Sequence, residues 1–114
     1  MNLWTLKEDI IMDNLELVCF KIISSVGSAK SMYIEAVEEA KQGNYDRALE
    51  LIEEGREIFT EGHHAHGDLI QQEATGNGAP INLLLMHAED QLMNAETIKI
   101  MAEELIEVYK RMNK

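Results

Sequence analysis

His87 and Asp90 are the side chains best placed for chemistry, three residues apart in the mostly apolar run Leu83-Leu84-Leu85-Met86-His87-Ala88-Glu89-Asp90-Gln91-Leu92-Met93. In a helix they are neighbours on one side, about one turn apart. Imidazole titrates near neutrality, and its neutral form is a nitrogen nucleophile able to accept a phosphoryl group or shuttle a proton. Written as heptads with Leu83 at position a and Met86 at d, the run puts Asp90 at the next a. Met93, Thr97 and Ile100 follow at d, a and d, and Glu104 ends the pattern, so the seam is short. His87 falls at e. A ring between apolar residues is commonly a structural histidine, but position e sets this one at the rim of a groove between helices.

Asp90 is the one charge in that seam. A lone carboxylate between packed helices is costly unless something compensates it. It reads either as an exposed interruption, which polar Thr97 a heptad later also permits, or as a residue that meets its own copies on a symmetry axis. Three carboxylates in contact cannot all stay ionised without a counter-charge, and a hard divalent cation such as Mg²⁺ is the natural one. Gln91 and Glu89 are polar surface or groove residues, and Gln91 has the amide to hydrogen-bond there.

A second cluster is His63-His64-Ala65-His66. His63 and His66 share a helix face at i, i+3 and have transition-metal chemistry, yet no third ligand lies nearby. They are groove histidines, an adventitious metal pair, or part of a solvated helix end. There is no glycine-rich phosphate loop, Ser/His/Asp set or CxxC pattern, so a nucleotide enzyme or hydrolase has no support.

Three helices must position these groups. The first runs from about Asp13 to Lys41, with Leu15, Val18, Ile22, Val26, Ala29, Met32 or Tyr33, and Ala36 at three- and four-residue steps. Gly43 suits a left-handed stop and Asn44 can cap the second helix, from about Tyr45 to Ala74, whose apolar residues include Ala48, Leu51, Ile52, Gly55, Ile58, Phe59, Leu69 and Ile70. The loop Thr75-Gly76-Asn77-Gly78-Ala79-Pro80 ends in a proline suited to a first helical turn, so the third helix is expected from about Ile81 to Arg111. Lys110, Arg111 and Lys114 complement its C-terminal dipole. The third helix carries two apolar faces. One is the seam; the other, through Leu84, Ala88, Leu92, Ala95, Ile98, Ala102, Leu105 and Tyr109, can pack on the first two helices. The fold class is therefore all-α, an antiparallel three-helix bundle over residues 13–114 with a seam left for another subunit. Residues 1–12, with Trp4, Leu6, Ile10 and Ile11, form an N-terminal extension that either docks on the bundle or stays free of it.

Composition agrees. One domain fits 114 residues, and abundant Ala, Leu, Glu, Met and Lys with a single Pro favour helix. A net charge of −11 opposes binding to nucleic acid or anionic lipid and suits partners with basic faces. The single Cys19, between Val18 and Phe20, reads as a buried thiol in a reducing compartment. No apolar run approaches the ~20 residues of a membrane span, and the acidic N-terminus is unlike a signal peptide. The expectation is a soluble cytoplasmic protein.

With these residues in place, the sequence resembles the IIA component of the lactose/cellobiose-type sugar phosphotransferase system. The resemblance covers nearly the whole chain after the extension. It rests on Gly27-Ser28-Ala29-Lys30, Asn44-Tyr45, Glu61-Gly62-His63 and, most specifically, His87-Ala88-Glu89-Asp90-Gln91-Leu92-Met93, which is similar to the family's phosphorylation motif. It implies a homotrimer of three-helix bundles making nine helices in all, phosphorylation of His87 on Nε2, and one structural Mg²⁺ per trimer shared by Asp90 on the three-fold axis. Gln91, His63 and His66 would support the groove. The implied donor is phospho-HPr, the acceptor is a cysteine of the cognate IIB component, and no sugar is bound directly. Some lactose-type members have a second histidine where this chain has Gln91, which points toward the cellobiose or chitobiose branch. Two other classes compete: an acidic helical trimeric adapter without phosphotransfer, in which His87 is incidental, and a metal-binding regulatory domain built on His63 and His66.

Overall fold

The computed structural model describes residues 2–113, apart from the side chains of Trp4 and residues 7–13. Met1 and Lys114 lie outside the described residues, and so do the Ile10 and Ile11 side chains assigned to the extension. Three helices run up, down and up: α1 (Leu3–Lys41), α2 (Tyr45–Ala74) and α3 (Leu83–Met112). The first helix is longer than its sequence pattern suggests, continuing without a break through the segment read as an extension. Asn2 starts it, its Oδ1 accepting the Thr5 amide at 2.8 Å. The molecule is correspondingly elongated, 69 × 23 × 20 Å.

α1 is the central element. It packs along both other helices, whereas α2 and α3 meet over few residues. Its buried face is Leu15, Cys19, Ile22, Val26, Ala29, Tyr33, Ala36 and Ala40, which settles the Met32-or-Tyr33 alternative in favour of Tyr33. Part of α1, Asn14–Lys41, is long and apolar enough by composition to cross a membrane, contrary to the sequence reading. Much of that apolarity belongs to Cys19, Ile22, Val26, Ala29 and Ala36, all buried in the bundle.

α2 approaches α1 closely at two glycines. A Cβ on Gly55 would lie 2.6 Å from Tyr33 Cε1 and 3.2 Å from the Ala29 carbonyl oxygen. One on Gly62 would lie 2.5 Å from Ser25 Oγ and 2.9 Å from Val26 Cγ1. Ser25 is buried here, its hydroxyl donating to the Lys21 carbonyl at 2.8 Å. Ile70, one of the apolar residues that mark this helix in the sequence, is exposed.

Local chemistry sets the helix ends. Gly43 adopts φ +85° between α1 and α2 as expected. Asn44 occupies the N-cap position of α2, but its side chain makes no cap; its amide donates to Glu39 Oε2 at 2.8 Å. α3 starts at Leu83 rather than Ile81, because Asn82 Oδ1 caps it by accepting the Leu85 amide at 2.8 Å, leaving Pro80 in the loop. Far from this end, the Tyr45 hydroxyl donates to the Tyr109 carbonyl at 3.2 Å and accepts from the Asn113 amide at 2.7 Å.

The inward face of α3 is buried at Ala88, Leu92, Ala95 and Ala102, as expected, but then at Ile106 (4 % exposed) rather than Leu105 (40 %). The buried row advances by four from Ala102, which keeps Ile106 against α1 and turns Leu105 outward.

Candidate functional site

α3 divides its residues between two opposite sides. The inward side closes the core with α1. The outward side presents the expected seam to solvent: Leu83, Met86, Met93 and Ile100 are 80 %, 57 %, 61 % and 60 % exposed. Asp90 and Thr97 lie exposed between them. A short helical stripe of large apolar residues left open this way is a surface made to be covered.

His87 stands exposed in the second turn of α3, held by the Asn82 cap and by the burial of Ala88 beside it. Gln91 follows one turn later on the same face and is half-buried. Asp90 makes no ion pair among the described residues. Its carboxylate oxygens suit a hard cation such as Mg²⁺, but a single chain supplies only one such ligand there. Among the described residues, no three His, Cys, Asp or Glu side chains come together as a metal site. The residues therefore fit a Mg²⁺ only where copies of Asp90 share it.

The other histidines face a different way. His66 Nε2 lies 2.6 Å from Glu89 Oε1, and His63 Nδ1 lies 3.9 Å from Glu96 Oε1. An ionised carboxylate only accepts, so His66 Nε2 is the donor of the short bond. His63 also stacks on Phe59, ring centroids 6.0 Å apart. Glu89 and Glu96 are seven residues apart and share one side of α3. At ~100° per residue that side is about 180–200° around the helix from His87. Within one chain, the structure thus joins His63 and His66 to separate α3 carboxylates and does not join them to His87 or to each other through a metal. The His66–Glu89 bond is a contact that sequence reasoning missed. Glu89 had been read as a surface or groove residue, and nothing in local spacing pairs it with a side chain 23 positions earlier.

Between the end of α2 and the start of α3 lies a cavity of about 250 Å³, lined by Leu69, Ile70, Ala79, Ile81, Leu85 and Met86 with Glu73 and Glu89 at its polar edge. His87 is exposed beside this cavity and makes no ion pair among the described residues.

The family described as "PTS system, Lactose/Cellobiose specific IIA subunit" matches residues 17–110, which include His87, Asp90 and the whole seam. The chain belongs to this lactose/cellobiose IIA family. It is 38 % identical over 99 residues to the lichenan-specific phosphotransferase enzyme IIA component of Bacillus subtilis, covering 87 % of this chain and 90 % of that one. It is 34 % identical to the lactose-specific EIIA component of Staphylococcus epidermidis, covering 87 % and 95 %. The cellobiose-specific enzyme IIA of Bacillus anthracis superposes with a TM-score of 0.83 at 41 % identity, covering 85 % of this chain and 89 % of that structure. PtcA from S. mutans superposes equally well, TM-score 0.83, at 33 % identity, covering 86 % and 96 %. The all-α three-helix fold and the family resemblance both hold. As a IIA family member the chain is a component of a sugar phosphotransferase system.

Proposed function

We propose that this IIA protein is a phosphohistidine relay: phospho-HPr donates a phosphoryl group to His87, and a cysteine of the cognate IIB component takes it during disaccharide uptake. The observation that carries the reading is His87 itself, an exposed imidazole on a capped, well-packed helical turn, at the edge of an unpaired apolar seam.

In the first transfer, neutral His87 Nε2 attacks phosphorus in line. The new N–P bond forms as the bond to the HPr imidazole breaks, and that imidazole leaves with its electron pair. In the second, a IIB thiolate attacks the same phosphorus; the S–P bond forms, the N–P bond breaks, and His87 returns to its starting state. Loose phosphoryl transition states need alignment and charge-stabilising donors around the equatorial oxygens. Gln91, one turn from His87, offers an amide. The cations must come largely from the partners, which a net charge of −11 also steers toward this surface.

The exposed Leu83, Met86, Met93 and Ile100 support a homotrimer assembled through α3, with Asp90 from each chain on the axis. A Mg²⁺ held by those carboxylates would neutralise their repulsion and lock the seam; it plays no part in the transfer. Gln91, where some lactose-type members have histidine, supports the cellobiose or chitobiose branch over lactose. No sugar is bound, and the relay runs in the cytoplasm.

Phosphoenolpyruvate, enzyme I and HPr are mixed with the protein, and its intact mass is measured. One acid-labile phosphate, mapped to His87, is the expected result. No gain of mass would leave the trimeric adapter as the better reading.

A further inference from the structure

We infer that His66 is a positioning residue: its bond to Glu89 fixes the rotation of the first turns of α3 and so the direction in which His87 faces its partners. The inference rests on the relay reading for its functional consequence, and on geometry alone for the clamp.

The start of α3 packs on α1 through Ala88 and Leu92, but on the side that faces α2 few contacts hold it. It follows the eight-residue stretch 75–82 and is begun by the Asn82 cap, which fixes where the helix starts but not which way it turns. α2 and α3 meet over few residues, so little apolar packing joins them. The 2.6 Å bond from His66 to Glu89 crosses that gap, and the His66 side chain is only 13 % exposed. Of the other polar contacts between these helices, His63 to Glu96 is longer at 3.9 Å and more exposed, and the Tyr45 hydroxyl meets the Tyr109 carbonyl only at the far end of α3.

Glu89 is two residues from His87, about 200° around the helix. Drawing Glu89 toward α2 therefore drives His87 to the opposite, outward side. A small rotation released at Glu89 would swing the imidazole sideways, and displacement of a reacting group by about 1 Å can cost on the order of 10²-fold in rate. Glu89 also edges the cavity between α2 and α3, so the same bond sets the wall of the surface beside the nucleophile.

The test compares the parent with His66→Ala, His66→Gln and Glu89→Ala, each alone, and with the His66→Ala/Glu89→Ala pair. Gln presents an N–H donor at about the reach of imidazole Nε2. Two readouts are taken. The first is the single-turnover rate of transfer from phospho-HPr, divided by the rate of chemical phosphorylation of His87 by phosphoramidate, a donor too small to depend on docking. The second is amide hydrogen exchange at Met86–Ala88 relative to Ile106 at the far end of α3.

His66→Ala should lower the rate ratio about tenfold and speed exchange at Met86–Ala88 about tenfold, with His66→Gln restoring most of both. The double variant should be no worse than either Ala variant alone. Equal ratios and exchange in parent and His66→Ala would overturn the clamp, as would independent, multiplying effects of the two Ala changes. If the parent takes no phosphate from HPr, the relay reading fails, while the exchange comparison still decides whether His66 holds α3.

Discussion

Tyr33 and Gly55 occupy one space: the tyrosine ring of α1 stands where a side chain on α2 would have to be, 2.6 Å from the position of a Cβ on Gly55. The helices are close because one residue is large and the other has no side chain. Ala29 blocks the alternative exit, since the same Cβ would meet its carbonyl oxygen at 3.2 Å. Gly55→Ala should therefore destabilise the bundle by about 1–3 kcal/mol through overpacking, despite the better helix propensity of alanine. Urea denaturation read by circular dichroism checks it; a stabilised variant would mean the helices can part without loss.

The Tyr33 hydroxyl is buried and has no hydrogen-bond partner among the described residues, and burial, with Glu103 adding to it, pushes its pKa up to about 12. Below pH ~10 the phenol keeps its proton in both folded and unfolded chains. Between pH ~10 and about 12 the unfolded chain releases a proton that the folded chain retains, so this contribution to stability falls as pH rises. Tyr33→Phe should be neutral or more stable by about 1 kcal/mol at pH 7. Its advantage over the parent should widen above pH 10, measured as the difference in urea midpoint between pH 8 and pH 11.

His87→Ala should fold and assemble as the parent does, because the exposed ring contributes little packing, yet accept no phosphate. Intact mass after incubation with phosphoenolpyruvate, enzyme I and HPr reads this directly. Full phosphorylation of the variant, mapped to His63, His64 or His66, would move the nucleophile elsewhere.

Asp90→Leu tests the seam. Leucine would join Met86 to Met93 in an unbroken apolar stretch and remove three like charges from the proposed axis. Replacing buried charge by apolar side chains is often neutral or stabilising by roughly 1–4 kcal/mol. Light scattering should find a trimer, and thermal melts should show a variant at least as stable as the parent in EDTA and no longer sensitive to Mg²⁺. An undiminished response to Mg²⁺ would place the cation away from Asp90.

The Asn82 cap sets the start of α3, five residues before His87. Asn82→Ala should cost about 1 kcal/mol of stability, with the added amide exchange confined to Leu83–Met86. Uniform exchange along α3 would show that the cap does not act locally.

Much of this arrangement was legible in the sequence, since apolar residues at three- and four-residue steps mark helix faces regardless of the partner. Leu15, Ile22, Val26, Ala29 and Ala36 were found that way, and so was the outward Leu83–Ile100 seam. What escaped depended on neighbours distant in sequence. Ile106 replaces Leu105 in the core because the buried face drifts around α3, and Gly62 lies buried because Ser25 and Val26 crowd it. Asn44 turned to Glu39 instead of capping its helix. Glu89 gained its meaning only when the fold brought His66 to it, for a hydrogen-bonded pair across two helices leaves no periodic trace.

Cys19 has a consequence of a practical kind. The thiol has no exposed surface, and burial, with Glu16 and Glu89 adding to it, raises its pKa. It is thus silent toward alkylating reagents while the bundle is closed, and its labelling rate counts the moments when the bundle opens. In the proposed relay, whose next acceptor is a cysteine, the closed chain would offer no accessible thiol of its own to form a mixed disulfide with that acceptor or to intercept the phosphoryl group. The same silence makes every surface position available for a single introduced cysteine and a site-specific probe.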